Sequence, residues 1–181
     1  MLLNYGAKLG LPELLRKIVV ICIMKILVIA ATGAEIALSI KHIATAGREV
    51  KPLVFDLKGV EISFSVTGVG MVATAYHLTK LLASNRYDLA IQAGIAGCFD
   101  RDIPLGEVLM VQSDRFADLG AEDGDSFTDV FDLGLAQANE EPFKGKILPN
   151  PQNATALNIQ LKEVTALTVN TVTGNDKSTA R

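Results

Sequence analysis

The sequence predicts an α/β fold with a parallel sheet at its centre. Three observations carry this. Apolar strand-like runs alternate with stretches of helical spacing through the first half of the chain. Leu89 to Ala93 is a short, nearly all-apolar run, the pattern of a strand buried on both faces of a parallel sheet. That run ends in Gly94-Ile95-Ala96-Gly97, a turn whose small residues leave main-chain N–H groups open to a ligand beyond the strand ends. By itself, this turn is equally well explained as glycines placed for packing.

The chain has 181 residues, 49% hydrophobic and 20% charged, which suits one globular domain with a sizeable core. A net charge of −3 and the lack of a basic cluster argue against a nucleic-acid surface. There is no tryptophan, and aromatics make up 6%, so Val, Ile, Leu and Ala must fill the interior. Cys22 and Cys98 lie far apart without metal-ligand spacing, as expected of free thiols in a reducing cytoplasm.

The elements follow in order. Arg16 and Lys17 precede an apolar stretch from Ile18 to Ala34 that is open to three readings. It has the outline of a signal peptide, or the minimum length of a membrane span with Lys25 at its costly centre. The favoured reading starts the domain at Met24, with residues 1–23 an added leader, because the residues after Met24 read as a first βα unit. In that reading residues 25–31 form a strand and Thr32-Gly33 a turn. Glu35 to Ala46 forms a helix with Ile36, Ile40 and Ile43 on one face. Val50 to Asp56 and Val60 to Thr67 predict a hairpin across Lys58-Gly59, and Met71 to Ser84 predict a second helix. Glu107 to Gln112 and residues 164–173 read as further strands, with an irregular stretch from Ser113 to Pro151 between them.

Several residue groups offer chemistry. Gly68-Val69-Gly70-Met71-Val72-Ala73 has the spacing of a dinucleotide-binding turn. The acid that would hold a ribose, Asp88, begins the next strand instead of ending it, which places it at the opposite sheet edge. Those glycines are therefore expected to serve helix–strand packing and a ribose- or phosphate-facing turn, without a nicotinamide cofactor. Glu35 reads on spacing as a helix-capping carboxylate; the sharper alternative is a base that activates water beyond the strand end. His42 and His77 read as surface or packing residues, and the acidic run from Asp114 through Asp118, Glu122, Asp123 and Asp125 to Asp129 as a solvated loop rather than a metal site. Ser65, Ser113 and Ser178 lack a nucleophile-elbow context.

Four stretches together carry a family resemblance. They are Met24-Lys-Ile-Leu-Val-Ile-Ala-Ala-Thr-Gly-Ala-Glu35, Thr67-Gly-Val-Gly-Met-Val-Ala-Thr-Ala75, Gln92-Ala-Gly-Ile-Ala-Gly97 and Leu105-Gly-Glu-Val-Leu-Met-Val-Gln-Ser-Asp114. In order and spacing, the chain from residue 24 to 181 resembles the nucleoside phosphorylase/nucleosidase superfamily. Within it the chain is most similar to the futalosine hydrolases, with the methylthioadenosine/S-adenosylhomocysteine nucleosidases next. The resemblance implies a three-layer α/β/α sandwich around a mixed central sheet. It also implies a cytoplasmic homodimer acting on a purine nucleoside without metal or cofactor, and without nucleic-acid or membrane partners.

The resemblance makes Glu35 the residue that activates water. It places Gly94, Ile95, Ala96 and Gly97 beside ribose and water, and Thr173, Gly174, Lys177 and Ser178 beside the base. By the same resemblance, phosphorylases carry arginines in the turn after the first strand and near the glycine turn. Ala31 to Glu35 has none and Ile95 stands where a hydroxyl residue often sits, which favours hydrolysis, since a phosphate dianion needs a fixed cation. Lys177 or its neighbour stands where adenosine-type nucleosidases place a stacking aromatic, which lowers the methylthioadenosine reading. The family's later Met-Glu pair and purine-protonating aspartate have no match here. The resemblance therefore implies a domain without its C-terminal part, and leaves a non-catalytic nucleoside-binding fragment as the alternative to an enzyme.

Overall fold

The computed structural model describes residues 24–151, 158–172 and 174, and the chain divides into two compact units, Met1–Ala96 and Gly97–Arg181. The assignment of residues 1–23 as a leader lies outside the described residues.

In the first unit, β1 (Met24–Ala30), α1 (Gly33–Ala46), β2 (Arg48–Lys51), β3 (Val54–Leu57), β4 (Val60–Val66), α2 (Met71–Ser84) and β5 (Leu89–Gln92) follow in sequence. The strands form one mixed sheet in the order β2-β3-β4-β1-β5. β1 runs parallel to β4, from Met24 opposite Val60 to Ala30 opposite Val66, and parallel to β5, from Ile26 opposite Leu89 to Ile29 opposite Gln92. The second half of the apolar N-terminal stretch is thus an interior strand of the sheet. Its Leu27, Ile29 and Ala30 are at most 3% exposed.

Strand alternation sorts the two faces. Val28 and Ala30 of β1, Ile62 and Phe64 of β4 and Phe55 of β3 pack with Ile36, Ile40 and Ile43 of α1. Phe55 and Phe64 meet edge to face at 6.0 Å. Leu27, Ile29 and Ser63 occupy the other face, where Ser65 borders a depression of about 270 Å³ shared with His77, Lys80, Leu81 and Ser84 of α2 and with Asn85, which caps its end. One helix on each face of a mixed sheet is the expected three-layer arrangement.

Two expectations need correction. Leu89 to Ala93 is not buried on both faces: Ala90, Ile91 and Gln92 are exposed. The cause is strand order, which makes β5 an outer strand, paired among the described residues with β1 alone. The strand expected from Val50 to Asp56 breaks at Pro52-Leu53, where proline removes a ladder donor and Leu53 takes φ 59°. The chain folds back there, so β2 and β3 form one hairpin and β3 and β4 the next. Lys58 (φ 54°) and Gly59 (φ 85°) make the latter turn, with the Gly59 N–H donating to Asp56 Oδ1 at 2.9 Å.

In the second unit, β6 (Leu109–Phe116), β7 (Gly120–Asp123), β8 (Ser126–Asp129), β9 (Leu148–Pro149) and β10 (Lys162–Thr168) form a three-stranded sheet, β10-β6-β9, and a β7–β8 hairpin. The stretch expected to be irregular from Ser113 onward therefore contains the end of β6 and three short strands. Three of its acidic residues tie the unit together, two of them to the end of β10 and the residues after it and one within the loop. Asp114 accepts from the Thr168 hydroxyl at 2.6 Å, and Asp118 from the Asn170 N–H at 2.6 Å. Asp129 accepts from the Phe131 and Asp132 N–H groups and from Lys146 Nζ at 3.0 Å. These donors hold the Asp129 carboxyl below its ordinary range, the Asp132 N–H foremost, and the hydrogen bonds to Asp132 and Asp129 raise the Lys146 ammonium. Phe143 meets both Phe116 and Phe131 edge to face, a small aromatic centre for this unit.

Ile36 is fully buried and Leu38, two residues on, is 80% exposed. Ile36→Ala is expected to cost about 2–5 kcal/mol of stability, and Leu38→Ala to stay within about 0.5 kcal/mol. Urea unfolding of the two variants measures the difference.

Candidate active site

The parallel pairing of β4, β1 and β5 brings three connections to one edge of the first unit: 31–32 after β1, 67–70 after β4 and 93–96 after β5. Thr67, 2% exposed, ties two of them together. Its N–H donates to Ala30 O at 2.9 Å and its hydroxyl to the same oxygen at 3.2 Å. A hydroxyl has one proton, so the Thr74 hydroxyl, 3.3 Å from Thr67 Oγ1, is the donor in that contact. Gly68 (φ 88°) and Gly70 (φ 95°) take conformations that suit glycine, and a Cβ on Gly68 would lie 3.2 Å from Ala73 Cβ. This is a packing role for the G-x-G spacing. Asp88 lies at the opposite edge, its Oδ2 accepting from the Lys25 N–H at 2.7 Å.

Glu35 stands where the ends of β1 and β5 meet. Thr32 caps α1 and Glu35 is its third residue, in a capping-box arrangement. Glu35 Oε2 accepts from the Thr32 N–H at 2.7 Å and from the Thr32 hydroxyl at 2.8 Å. Glu35 Oε1 accepts from the Ile95 N–H at 3.1 Å. The plain reading of Glu35 as a capping residue therefore describes one of its oxygens. The other holds the turn that follows β5, at the carboxyl ends of the parallel strands. The hydrogen bond from the Thr32 side chain, then that from the Ile95 N–H, hold the carboxyl below its ordinary range against a smaller opposing effect of burial. Glu35 is consequently ionised at neutral pH.

Of the residues expected at the site, Glu35, Gly94 and Ile95 come together. An added Cβ on Gly94 would lie 2.9 Å from Glu35 Oε1, so a side chain there would make the carboxylate shift from its place beside the Ile95 N–H. Ala96 follows in the same turn, exposed, and Gly97 opens the second unit. Gly174 is exposed in that second unit. Thr173, Lys177 and Ser178 lie outside the described residues. Thr32 was expected only as a turn residue, although Thr32-Gly-Ala-Glu35 spells the S/T-x-x-E capping signal. His42 and His77 are exposed, with His77 edge-on to Tyr76 at 5.1 Å.

A family model described as Phosphorylase superfamily matches residues 17–178. The chain belongs to the phosphorylase superfamily. A futalosine hydrolase from Streptomyces coelicolor is 38% identical over 89 residues, 49% of this chain and 35% of that protein. One from Thermus thermophilus is 35% identical over 68 residues, 38% of this chain and 30% of that protein. The matched part of the chain thus spans about a third of each of these curated relatives. Among solved structures, the Helicobacter pylori 5′-methylthioadenosine/S-adenosyl homocysteine nucleosidase shares the fold at a TM-score of 0.65 and 14% identity, over 87% of this chain and 69% of that one. A futalosine hydrolase mutant from Helicobacter pylori matches at a TM-score of 0.63 and 14% identity, over 87% and 73% of the two chains. These superfamily structures confirm a nucleoside phosphorylase-like fold.

Gly94→Ala is expected to push Glu35 Oε1 away from the Ile95 N–H and to cost about 1 kcal/mol at neutral pH. The sign with pH is set by the lowered folded-state value of Glu35. A depressed carboxyl contributes stability above its unfolded-state range, and that contribution is lost as pH falls through the folded-state value. The deficit of Gly94→Ala should therefore shrink on acidification, as urea unfolding at about pH 7 and about pH 3 would register.

Proposed function

We propose that this chain is the Glu35-bearing part of a purine nucleoside N-ribosyl hydrolase, with futalosine as substrate and hypoxanthine and dehypoxanthine futalosine as products. The carrying observation is an ionised carboxylate fixed at the carboxyl ends of parallel strands, in a superfamily chain 38% identical to a futalosine hydrolase over 89 residues. Menaquinone synthesis, a cytoplasmic location and a homodimer implied by the resemblance belong to the same reading.

Breaking an N-ribosidic bond builds positive charge on the ribose ring as the base departs. A carboxylate near that charge stabilises it, a contribution worth several kcal/mol in a water-poor site. The same carboxylate accepts a proton from the water that attacks the anomeric carbon. Glu35 suits both roles because it stays charged at neutral pH and its orientation is fixed from two strand ends. The turn at Gly94, Ile95 and Ala96 would face ribose and water. The resemblance assigns Thr173, Gly174, Lys177 and Ser178 to the base, whose departure requires a proton.

Hydrolysis rather than phosphorolysis is supported by the lack of arginine in both turns beside Glu35. The identity shared with futalosine hydrolases favours futalosine over methylthioadenosine.

The test is hypoxanthine or adenine release from futalosine, inosine and methylthioadenosine, with and without phosphate. Release from futalosine that is independent of phosphate is expected, and Glu35→Gln should lower it by about 10²–10⁴-fold. Phosphate-dependent release would overturn the hydrolase, and full activity in Glu35→Gln would overturn the role of Glu35.

A further inference from the structure

The two oxygens of Glu35 are not equivalent. A carboxylate oxygen offers two in-plane acceptor positions. Both at Oε2 are taken, by the Thr32 N–H at 2.7 Å and the Thr32 hydroxyl at 2.8 Å. At Oε1 the Ile95 N–H, at 3.1 Å, takes one, and among the described residues nothing takes the other. Gly94 adds no side chain on that side.

We propose that Thr32 is a positioning residue that saturates Glu35 Oε2 and thereby makes Oε1 the oxygen that receives the proton of water. This rests on the proposed hydrolase. The two backbone N–H groups fix the plane of the carboxylate but leave each oxygen with a single donor and one acceptor position still open. The hydroxyl supplies the second donor at Oε2 and closes its remaining position, which makes the two oxygens unequal. The groups facing the carboxylate are Thr32 from the end of β1 and Gly94 and Ile95 from the end of β5, all of them neutral. Among the described residues the displacement of its titration has hydrogen-bond and burial causes and no charged partner. Removing the Thr32 hydroxyl therefore acts on Glu35 without disturbing an ion pair.

Thr32→Val keeps the shape and the backbone N–H and deletes only the hydroxyl; Thr32→Ser restores it. With futalosine as substrate, Thr32→Val should lower kcat about tenfold with little change in KM, the scale of a misdirected catalytic group. The acid limb of its pH–rate profile should move to higher pH, and Thr32→Ser should return both to the wild-type values. Thr32→Ala serves as a second hydroxyl-free variant should Thr32→Val not fold.

A second readout needs no turnover. The side-chain carboxyl carbon of Glu35, identified by its absence from Glu35→Gln, is titrated by NMR in the free full-length chain. A midpoint raised in Thr32→Val and restored in Thr32→Ser supports the hold on Oε2. An unchanged midpoint overturns it, whether or not the chain turns over nucleosides. A raised midpoint with unchanged kcat and pH profile overturns the assignment of Oε1 while leaving the hydrolase intact. A fully active Glu35→Gln defeats the role of Glu35 and, with it, the assignment.

Discussion

The parallel register of β1 with β4 and β5 is the constraint on which the site depends. Parallel pairing puts the carboxyl ends of three strands on one side, so the connections after them must share that edge. β1 lies between the other two and is the most deeply buried of the three. The connection leaving it turns at once into α1, and the first turn of a helix is where a carboxylate is favoured. Glu35 thus sits where an acid is locally comfortable. The neighbouring strand end supplies a further donor that no local rule would provide. A local preference and a long-range contact converge on one side chain.

Thr67 and the two glycines after it play the complementary part on the β4 side. A buried hydroxyl bonded to Ala30 O holds the connection after β4 against the end of β1. The left-handed backbone at Gly68 and Gly70 then turns the chain into α2 within three residues. The dinucleotide-like spacing is therefore explained by backbone direction and by contact with Ala73. The acid that such a site would need is occupied at the other end of the sheet by the main chain of Lys25.

Local features were the most legible in the sequence. The second helix runs from Met71 to Ser84, the span expected after the glycine turn, and the β3–β4 turn falls on Lys58-Gly59. Glu35 could be read as a helix-capping acid, and Thr32 carried the matching signal. What local pattern could not show is strand order. An apolar run such as Leu89 to Ala93 reads the same inside a sheet or at its margin, because the partner that would cover it is distant in sequence. The β7–β8 hairpin was hidden for a different reason. Its turn, Gly124-Asp125, lies within a dense acidic run whose charges mask the alternation of short strands. The Ile95 N–H on Glu35 spans 60 positions and leaves no trace in side-chain chemistry at all.

The marginal place of β5 has a dynamic consequence. Thr32 is anchored to the best-buried strand of the unit, whereas Ile95 hangs from an outer strand with exposed side chains and, among the described residues, one pairing partner. Strands of this kind open at a smaller free energy than the interior of the same fold. The carboxylate therefore bridges two backbone segments with different protection against solvent exchange. Fraying of β5 would release Oε1 from the Ile95 N–H while Thr32 still holds Oε2, and the acid would survive that opening in place.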